Sequence, residues 1–186
     1  MDKSKTYSKK VMLIIDFVLI ALLIAGDQII KYFVARDLNG SSPVVLIPKG
    51  LELYYLENRG SAFGILQNQK FFILFIGFIF LAVILFLLIK LPLMKKFVPA
   101  HVFLSLIIAG GVGNMIDRFR LSYVVDYIHC TFIYTLFKYD FPIFNFADCC
   151  VVIGVIILVI LFLFVYKEQD LEFLKFKQNR YRNMDK

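Results

Sequence analysis

The sequence predicts an all-α membrane protein: a bundle of four transmembrane helices with a small extracytoplasmic β-sheet and an outer loop or helix that covers a site at that face. Two observations carry this prediction. Of the 186 residues, 60% are hydrophobic and only 19% are charged, which lies outside the range of soluble globular chains. The apolar residues also gather in four long runs. The bilayer is therefore the expected solvent of a single polytopic domain, 1–186.

Four runs approach the roughly 20 apolar residues that a helix needs to cross a hydrocarbon core. They are 11–30, 71–89, 99–116 and 146–166. The first run follows two lysines and could be read as a cleaved signal peptide. It is long, however, is interrupted by Asp16 and lacks a small-residue cleavage site, so a permanent span is the better interpretation. The pattern gives Asp16 itself no role.

The basic residues indicate the orientation of the spans. The N-terminal tail, the connection between spans two and three, and the C-terminal tail hold 13 of the 21 Lys and Arg residues. Cytoplasmic loops carry such an excess, so we expect cytoplasmic termini, with 167–186 a polar cytoplasmic tail. Lipid headgroups and topology account for the net charge of +7, and we exclude nucleic acid as a partner.

The first outer segment has the pattern of a small sheet. Residues 44–47 form a β-branched run, and Pro48 and Gly50 interrupt it. Apolar and polar residues then alternate over 51–54, as in a half-buried strand. We expect an antiparallel sheet that lies on the outer membrane surface.

Polar residues at the outer ends of the spans are candidate functional groups, because they are costly in a membrane. Asp27 and Lys31 share a face of span one, where they can also be read as a structural ion pair. Residues 58–63 can also be read as an ordinary polar turn. Asn114 and Arg118, with Asp117, end span three, and a helix-end network is the alternative interpretation.

Two aspartates favour chemistry. Asp126 lies in an apolar context, VVDY, where a carboxylate has no structural reason to be. Asp148 follows Asn145 by three residues, an arrangement that also resembles a helix N-terminal cap. The topology places both acids at the outer membrane boundary. Two carboxylates that approach closely share a proton and can act as a general acid and base pair on water.

Metal chemistry is not indicated by the remaining candidates. The three cysteines show no CxxC spacing, and the two histidines fall on opposite sides of span three. No HExxH motif is present. The sequence therefore predicts no metal site and no cofactor.

Five blocks of the sequence resemble the signature blocks of lipoprotein signal peptidase, also called signal peptidase II, in the order of that family. They are DQIIK at 27–31, NRGSAF at 58–63, GGVGNMIDR at 110–118, VDY at 125–127 and FNFAD at 144–148. The resemblance extends over essentially all four spans. It implies a multi-pass aspartic endopeptidase of the bacterial cytoplasmic (inner) membrane, with its active site near the extracytoplasmic face.

The resemblance also implies a substrate and residue roles. The enzyme would remove signal peptides from prolipoproteins by cutting before the diacylglyceryl-modified cysteine, in contact with membrane lipids, and globomycin would inhibit it. Asp126 and Asp148 match the catalytic dyad. The positions around substrate and dyad are matched by Asn58, Gly60, Gly110, Asn114, Arg118 and Asn145. The family positions that give structural support are matched by Asp27, Lys31 and Asp117.

Two features depart from the family pattern and two other functions stay open. Ala109 stands where the family usually has glycine, and the aromatic stretch 127–147 is longer than usual, so substrate gating can differ. The non-enzyme alternative is a small transporter or channel that uses intramembrane acids. The enzymatic alternative is a peptidase that pairs Ser61 with Lys31 or Lys70.

Overall fold

The computed structural model describes residues 8–60 and 69–170. Its helices are α1 (Lys9–Leu38), α2 (Lys70–Lys90), α3 (Val98–Leu121), α4 (Thr131–Phe137) and α5 (Phe146–Ile160), and its strands are β1 (Val44–Ile47), β2 (Leu51–Asn58) and β3 (Val124–His129). A short 3-10 turn, Lys95–Phe97, precedes α3, and a π-helical turn, Leu161–Val165, continues α5.

Four helices are long and apolar enough to cross a membrane, which confirms the predicted fold class. The segments are Lys9–Leu38, Lys70–Lys90, Lys95–Leu121 and Phe146–Val165. The first three extend beyond the predicted runs, because polar residues such as Lys31 and Arg118 continue a helix at the membrane boundary as readily as apolar ones do, whereas the fourth lies within its predicted run.

Helix α3 is the centre of the bundle. It packs against α1, α2 and α5. In the most apolar stretch of each membrane helix, 56% of the residues are buried in α3, compared with 11% in α1 and in α2 and 17% in α5. Three helices therefore present most of their side chains to lipid, while α3 supplies the core. The apolar core of this bundle is built around Leu104, Ile107 and Ile108.

The predicted strand segments form two strands of a three-stranded antiparallel sheet with the order β1-β2-β3. The third strand was not predicted. Its buried pair Val124 and Val125 looks like part of an apolar run, because both faces of β3 are covered at that end. The register places Leu56 opposite Asp126 and Asn58 opposite Val124, so β2 brings its last residue beside Asp126.

Asp16, which the sequence left without a role, lies in a buried polar cluster between α1 and α3. Its Oδ2 lies 2.8 Å from Nδ1 of His101, and Ser105 Oγ donates to its Oδ1 at 3.5 Å. All three residues are at most 3% exposed. Within residues 8–60 and 69–170, His101 Nε2 has no hydrogen-bond partner. This cluster links α1 to α3 near the end of the bundle that holds both described termini.

The Asp16 and His101 pair should be replaceable as a pair but not singly. Asp16→Leu should lower the free energy of unfolding by about 3 kcal/mol, because it leaves a buried imidazole without its partner. The double variant Asp16→Leu/His101→Leu should return close to the parent, because two apolar side chains can replace a buried polar pair. Denaturant titration of the detergent-solubilised protein measures both. A double variant as unstable as the single one contradicts this interpretation.

Candidate active site

The residues singled out from the sequence gather at one end of the bundle, where the sheet meets the ends of α1, α3 and α5. Strand β2 ends there, β3 begins there, and α5 starts there. All the candidate site residues lie in this region: Asp27, Lys31, Asn58, Gly60, Gly110, Asn114, Asp117, Arg118, Asp126, Asn145 and Asp148. Hydrogen bonds link all of them except Gly110 into one network.

Asp126 and Asp148 are neighbours bridged by a single residue, Asn145. Asn145 Nδ2 donates to Asp126 Oδ1 at 2.6 Å, and its backbone N–H donates to Asp148 Oδ2 at 3.1 Å. The other oxygen of each acid also accepts an amide: Asn58 Nδ2 lies 2.8 Å from Asp126 Oδ2, and Asn114 Nδ2 lies 2.7 Å from Asp148 Oδ1. Every carboxylate oxygen of the pair therefore has a donor.

Asp126 is only 1% exposed, and its surroundings change its ionisation. Burial, followed by the nearby negative charge of Asp148, raises the pKa of Asp126 to about 6, although the amides of Asn58 and Asn145 act to lower it. A carboxyl group with this pKa still holds its proton in mildly acidic solution. The pair can thus contain one proton donor and one acceptor at the same time.

Asp148 also belongs to the capping box of α5, as one of its two interpretations predicted. Asn145 is the N-cap of α5, its side chain accepts from the Asp148 backbone N–H, and the Asp148 side chain accepts from the Asn145 backbone N–H. This capping box satisfies two backbone donors at the start of the helix. The two interpretations of Asp148 are therefore compatible, since the cap holds the carboxylate where Asn114 can reach it.

Lys31 is the cation of a buried cluster behind the two acids. Its Nζ lies 3.0 Å from Asp27 Oδ2, 2.9 Å from Asp117 Oδ2 and 2.9 Å from Asn114 Oδ1. The ammonium has three N–H groups, so all of its donors are used. The side chain is 3% exposed, and burial of a charge at this level requires such partners.

The two acids of this cluster also bind backbone groups of other elements. Asp27 Oδ1 accepts from Ala147 N–H of α5 at 3.2 Å, and Asp117 Oδ2 accepts from Val125 N–H of β3 at 3.2 Å. Each carboxylate therefore links Lys31 to an element that carries one of the paired aspartates.

Arg118 and Gly60 lie together at the edge of the site. Arg118 Nη2 donates to the Gly60 carbonyl at 3.1 Å, and Nη1 donates to the Asn114 carbonyl at 3.3 Å. The Gly60 N–H in turn donates to Asn58 Oδ1 at 3.0 Å. This bond turns the Asn58 amide so that its NH₂ group faces Asp126.

Sequence reasoning missed two members of the network. Gln28 Nε2 donates to Asp117 Oδ1 at 3.0 Å and to Asp27 Oδ2 at 3.2 Å, so it crosslinks the two acids that hold Lys31. The Tyr127 hydroxyl accepts from Phe146 N–H at 3.3 Å. The position of Gln28 beside Asp27 in an apolar span was a usable signal, whereas Tyr127 looked like one more aromatic residue.

No metal site accompanies this network in the part of the chain that the structure describes. Among those residues, no group of three or more His, Cys, Asp or Glu side chains is placed to hold a metal ion. The donor set around the two acids consists of amide N–H groups, which bind anions and not cations.

Comparison with known proteins identifies the family. The family model described as signal peptidase (SPase) II matches residues 19–164. A lipoprotein signal peptidase of Streptococcus thermophilus is 39% identical over 153 residues, which is 82% of this chain and 93% of the relative. One from Streptococcus pyogenes is 39% identical over 149 residues, 80% of this chain and 91% of the relative. The chain belongs to the signal peptidase II family.

Solved structures agree with this membership of the signal peptidase II family. Two structures described as bacterial membrane enzymes superpose with a TM-score of 0.68 at 31% identity. One match covers 86% of this chain and 91% of the other, and the second covers 87% and 98%. The chain is therefore a multi-pass membrane peptidase with a known architecture.

The described residues give no support to the alternative of a serine–lysine peptidase. Ser61 lies outside the described residues. Lys31 is held in ion pairs with Asp27 and Asp117. Lys70 donates to Ser122 Oγ at 3.0 Å and to the Phe119 carbonyl at 3.4 Å.

Gly110 is required by the packing of α3 against the start of α5. A Cβ at this position would collide with the carbonyl oxygen of Ala147 and lie 2.9 Å from a methyl group of Val151. Ala147 precedes Asp148, so this contact sets how closely the Asp148 carboxylate approaches Asn114. The sequence singled out Gly110 by family resemblance, and the close approach of two backbones gives it a physical reason.

Gly110→Ala should therefore displace the start of α5. We expect a loss of about 1–3 kcal/mol in the free energy of unfolding and a loss of peptidase activity on the order of 100-fold, because an overpacked contact shifts the Asp148 carboxylate. Gly111→Ala is the matched control. Its Cβ would lie 2.8 Å from Leu81 Cδ2, the end of a side chain that can rotate away. Equal losses in both variants, by unfolding and activity assays, would refute the role of Gly110.

Proposed function

We propose that the chain is an intramembrane aspartic endopeptidase that removes signal peptides from bacterial prolipoproteins by cutting before the diacylglyceryl-modified cysteine. One observation carries the proposal: Asn145 bridges Asp126 and Asp148, and every oxygen of both carboxylates accepts an amide. The names of the relatives support the substrate class, since they are lipoprotein signal peptidases. Membrane lipids surround the bundle, and a globomycin-type inhibitor would occupy the same site.

The proposed reaction needs one proton in the dyad. Asp126 holds it, because burial and the charge of Asp148 raise its pKa to about 6. Asp148 acts as the base and takes a proton from a water molecule, whose oxygen attacks the scissile carbonyl carbon. Asp126 gives its proton to the carbonyl oxygen, and a gem-diol forms. No metal or cofactor takes part.

The second half of the reaction restores the dyad. Asp148 passes its proton to the leaving nitrogen, the C–N bond breaks, and Asp126 recovers a proton from the gem-diol as the new carboxyl group forms. Asn58, Asn114 and Asn145 stay as fixed donors throughout, so the ionised acid keeps its orientation in a low-dielectric site. Arg118 and Gly60 hold Asn58 in this arrangement.

The proposed location is the bacterial cytoplasmic membrane, with the dyad near the extracytoplasmic face. The excess of Lys and Arg in the two tails and in the connection between α2 and α3 supports this orientation. The dyad lies at the opposite end of the bundle, where a lipidated segment could enter from the bilayer while its acyl chains remain in lipid. Water would arrive from the outer side.

A transporter or channel is disfavoured by the distribution of polar groups. The Asp16 cluster and the dyad network occupy opposite ends of the bundle. Between them, α3 buries Ile107, Ile108 and Ala109. A proton or ion path would need polar groups at this depth.

The dyad is tested by single exchanges to asparagine. Asp126→Asn and Asp148→Asn should each lower the cleavage of a diacylglyceryl-modified prolipoprotein at least about 100-fold, because one member can no longer exchange a proton. Each exchange places an NH₂ group against a donor, so we expect about 1–2 kcal/mol loss of stability, short of unfolding. Asp37→Asn, an exposed acid paired with Arg36, is the control.

Gel-shift assays of the purified variants in proteoliposomes, with and without globomycin, measure this cleavage. Processing by either dyad variant at the rate of the parent would remove the aspartic mechanism. Inhibition of the parent by globomycin would support the proposed partner.

The pH profile tests the assignment of the proton to Asp126. The value of kcat/KM should fall as the pH rises past about 6, because the free enzyme then loses the proton of the dyad. Asn58 donates to Asp126 and lowers its pKa, so Asn58→Ala should raise that pKa. The lost hydrogen bond, worth about 1 kcal/mol, should move the midpoint of the fall in kcat/KM upward by roughly 0.7 pH units.

The control is Glu57→Gln, a substitution of the neighbouring side chain that binds Arg59. It should leave the midpoint in place. An Asn58→Ala enzyme that is slower but has an unchanged midpoint would show that Asn58 only positions substrate, and would contradict the assignment.

A further inference from the structure

Helix α4, between β3 and α5, is amphipathic and has no buried residue. One face carries Phe132, Ile133, Leu136 and Phe137, and the opposite face carries Thr131, Thr135 and Lys138. The exposed fractions of Leu136 and Phe137 are 68% and 72%. Most of the apolar face of α4 is therefore left exposed by the described part of the protein.

The sheet holds α4 in a defined place. Phe132 N–H donates to the Gly50 carbonyl in the turn between β1 and β2 at 3.2 Å. Beyond α4 the chain returns to the sheet, where Phe144 exchanges backbone hydrogen bonds with Ile128 at 2.8 and 3.1 Å. His129 contacts Glu52 at 2.8 Å and Asp140 at 3.0 Å. Because these bonds fix α4 on the sheet, its apolar face is exposed in the folded protein.

A second apolar surface adjoins this helix. Strand β1 is the free edge of the sheet, and its four residues, Val44–Ile47, are all exposed. In water, an apolar edge strand beside an apolar helical face is an aggregation hazard. Both belong to a multi-pass membrane protein, and α5 enters its membrane-spanning segment nine residues after Phe137. Lipid is therefore the apolar phase that the face of α4 and strand β1 can contact.

We propose that the apolar face of α4, together with β1, lies in the interfacial layer of the leaflet on the side of the dyad. Helices with this pattern lie in the membrane plane with the apolar face about 5–10 Å into the acyl boundary. Two lysines flank the surface: Lys49 in the turn before β2, and Lys138 directly after α4, with its Nζ 5.6 Å from the centroid of Tyr134. Both can reach lipid phosphates.

This contact gives the sheet a second attachment to the membrane. Strand β3 is fixed at one end by Val125 and Asp117 and is continued at the other by α4. If the proposed function holds, the attachment sets the depth of Asp126 relative to the scissile bond of a lipidated substrate. The membrane contact itself does not depend on that function.

Tryptophan fluorescence tests the contact, because the chain contains no tryptophan. L136W places an indole on the apolar face, and T135W places one on the polar face of the same turn. In nanodiscs with brominated acyl chains, L136W should lose at least about twofold more fluorescence than T135W, because its face lies at the acyl boundary. Aqueous iodide should show the reverse order. F80W, within α2, gives the signal of a bilayer position.

Three results would overturn the proposal. Equal quenching of L136W and T135W by iodide would place α4 in water. Protection of L136W from both quenchers would show that protein, such as a second copy of the chain, covers the face. Quenching of T135W by brominated lipid as strong as that of L136W would show no preferred face. F132W repeats the measurement on the same face if L136W does not fold.

Discussion

The site depends on one buried cation. Lys31 comes from α1 and binds three acceptors, and two of them, Asn114 and Asp117, belong to α3. A buried ammonium is tolerated only when all of its hydrogens are bound, so α1 and α3 must meet at this depth. The same acceptors bind the first turn of α5 and the start of β3. The position of both paired aspartates therefore follows from the position of Lys31.

The cation also sets the direction of the amides around the dyad. An ammonium only donates, so the oxygen of Asn114 must face Lys31 and its NH₂ group must face Asp148. Backbone N–H groups fix the other two amides in the same way: Gly60 binds the oxygen of Asn58, and Asp148 binds that of Asn145. All three NH₂ groups then point at carboxylates. The orientation of the two carboxylates is thus determined by an ammonium and by backbone N–H groups, which can only donate hydrogen bonds.

The sequence predicted what depends on composition and local pattern. Four apolar runs were enough for the bundle, and Asp126 was conspicuous because a carboxylate in VVDY has no local partner. Pairings between distant residues were not accessible. Asn58 and Asp126 are 68 positions apart, and the register of β2 and β3 that joins them leaves no local sign. Asp16 had no interpretation because its partners, His101 and Ser105, lie 85 and 89 positions away. The amphipathic α4 was hidden among the aromatic residues of 127–147, where its two faces become visible only once the helix is placed.

The capping box of α5 makes the depth of the site a property of the fold. Asp148 can accept from the Asn145 N–H only if the helix begins at Phe146, and α5 enters its apolar membrane-spanning segment in the same turn. A shift of the helix start by one residue would remove the cap and turn the carboxylate by about 100° away from Asn114. Gly110 lets the backbone of α3 pack directly against the Ala147 carbonyl, and this close packing favours the helix start at Phe146. The residues that set the start of this membrane helix therefore also cap it, and one of them is Asp148 of the aspartate pair.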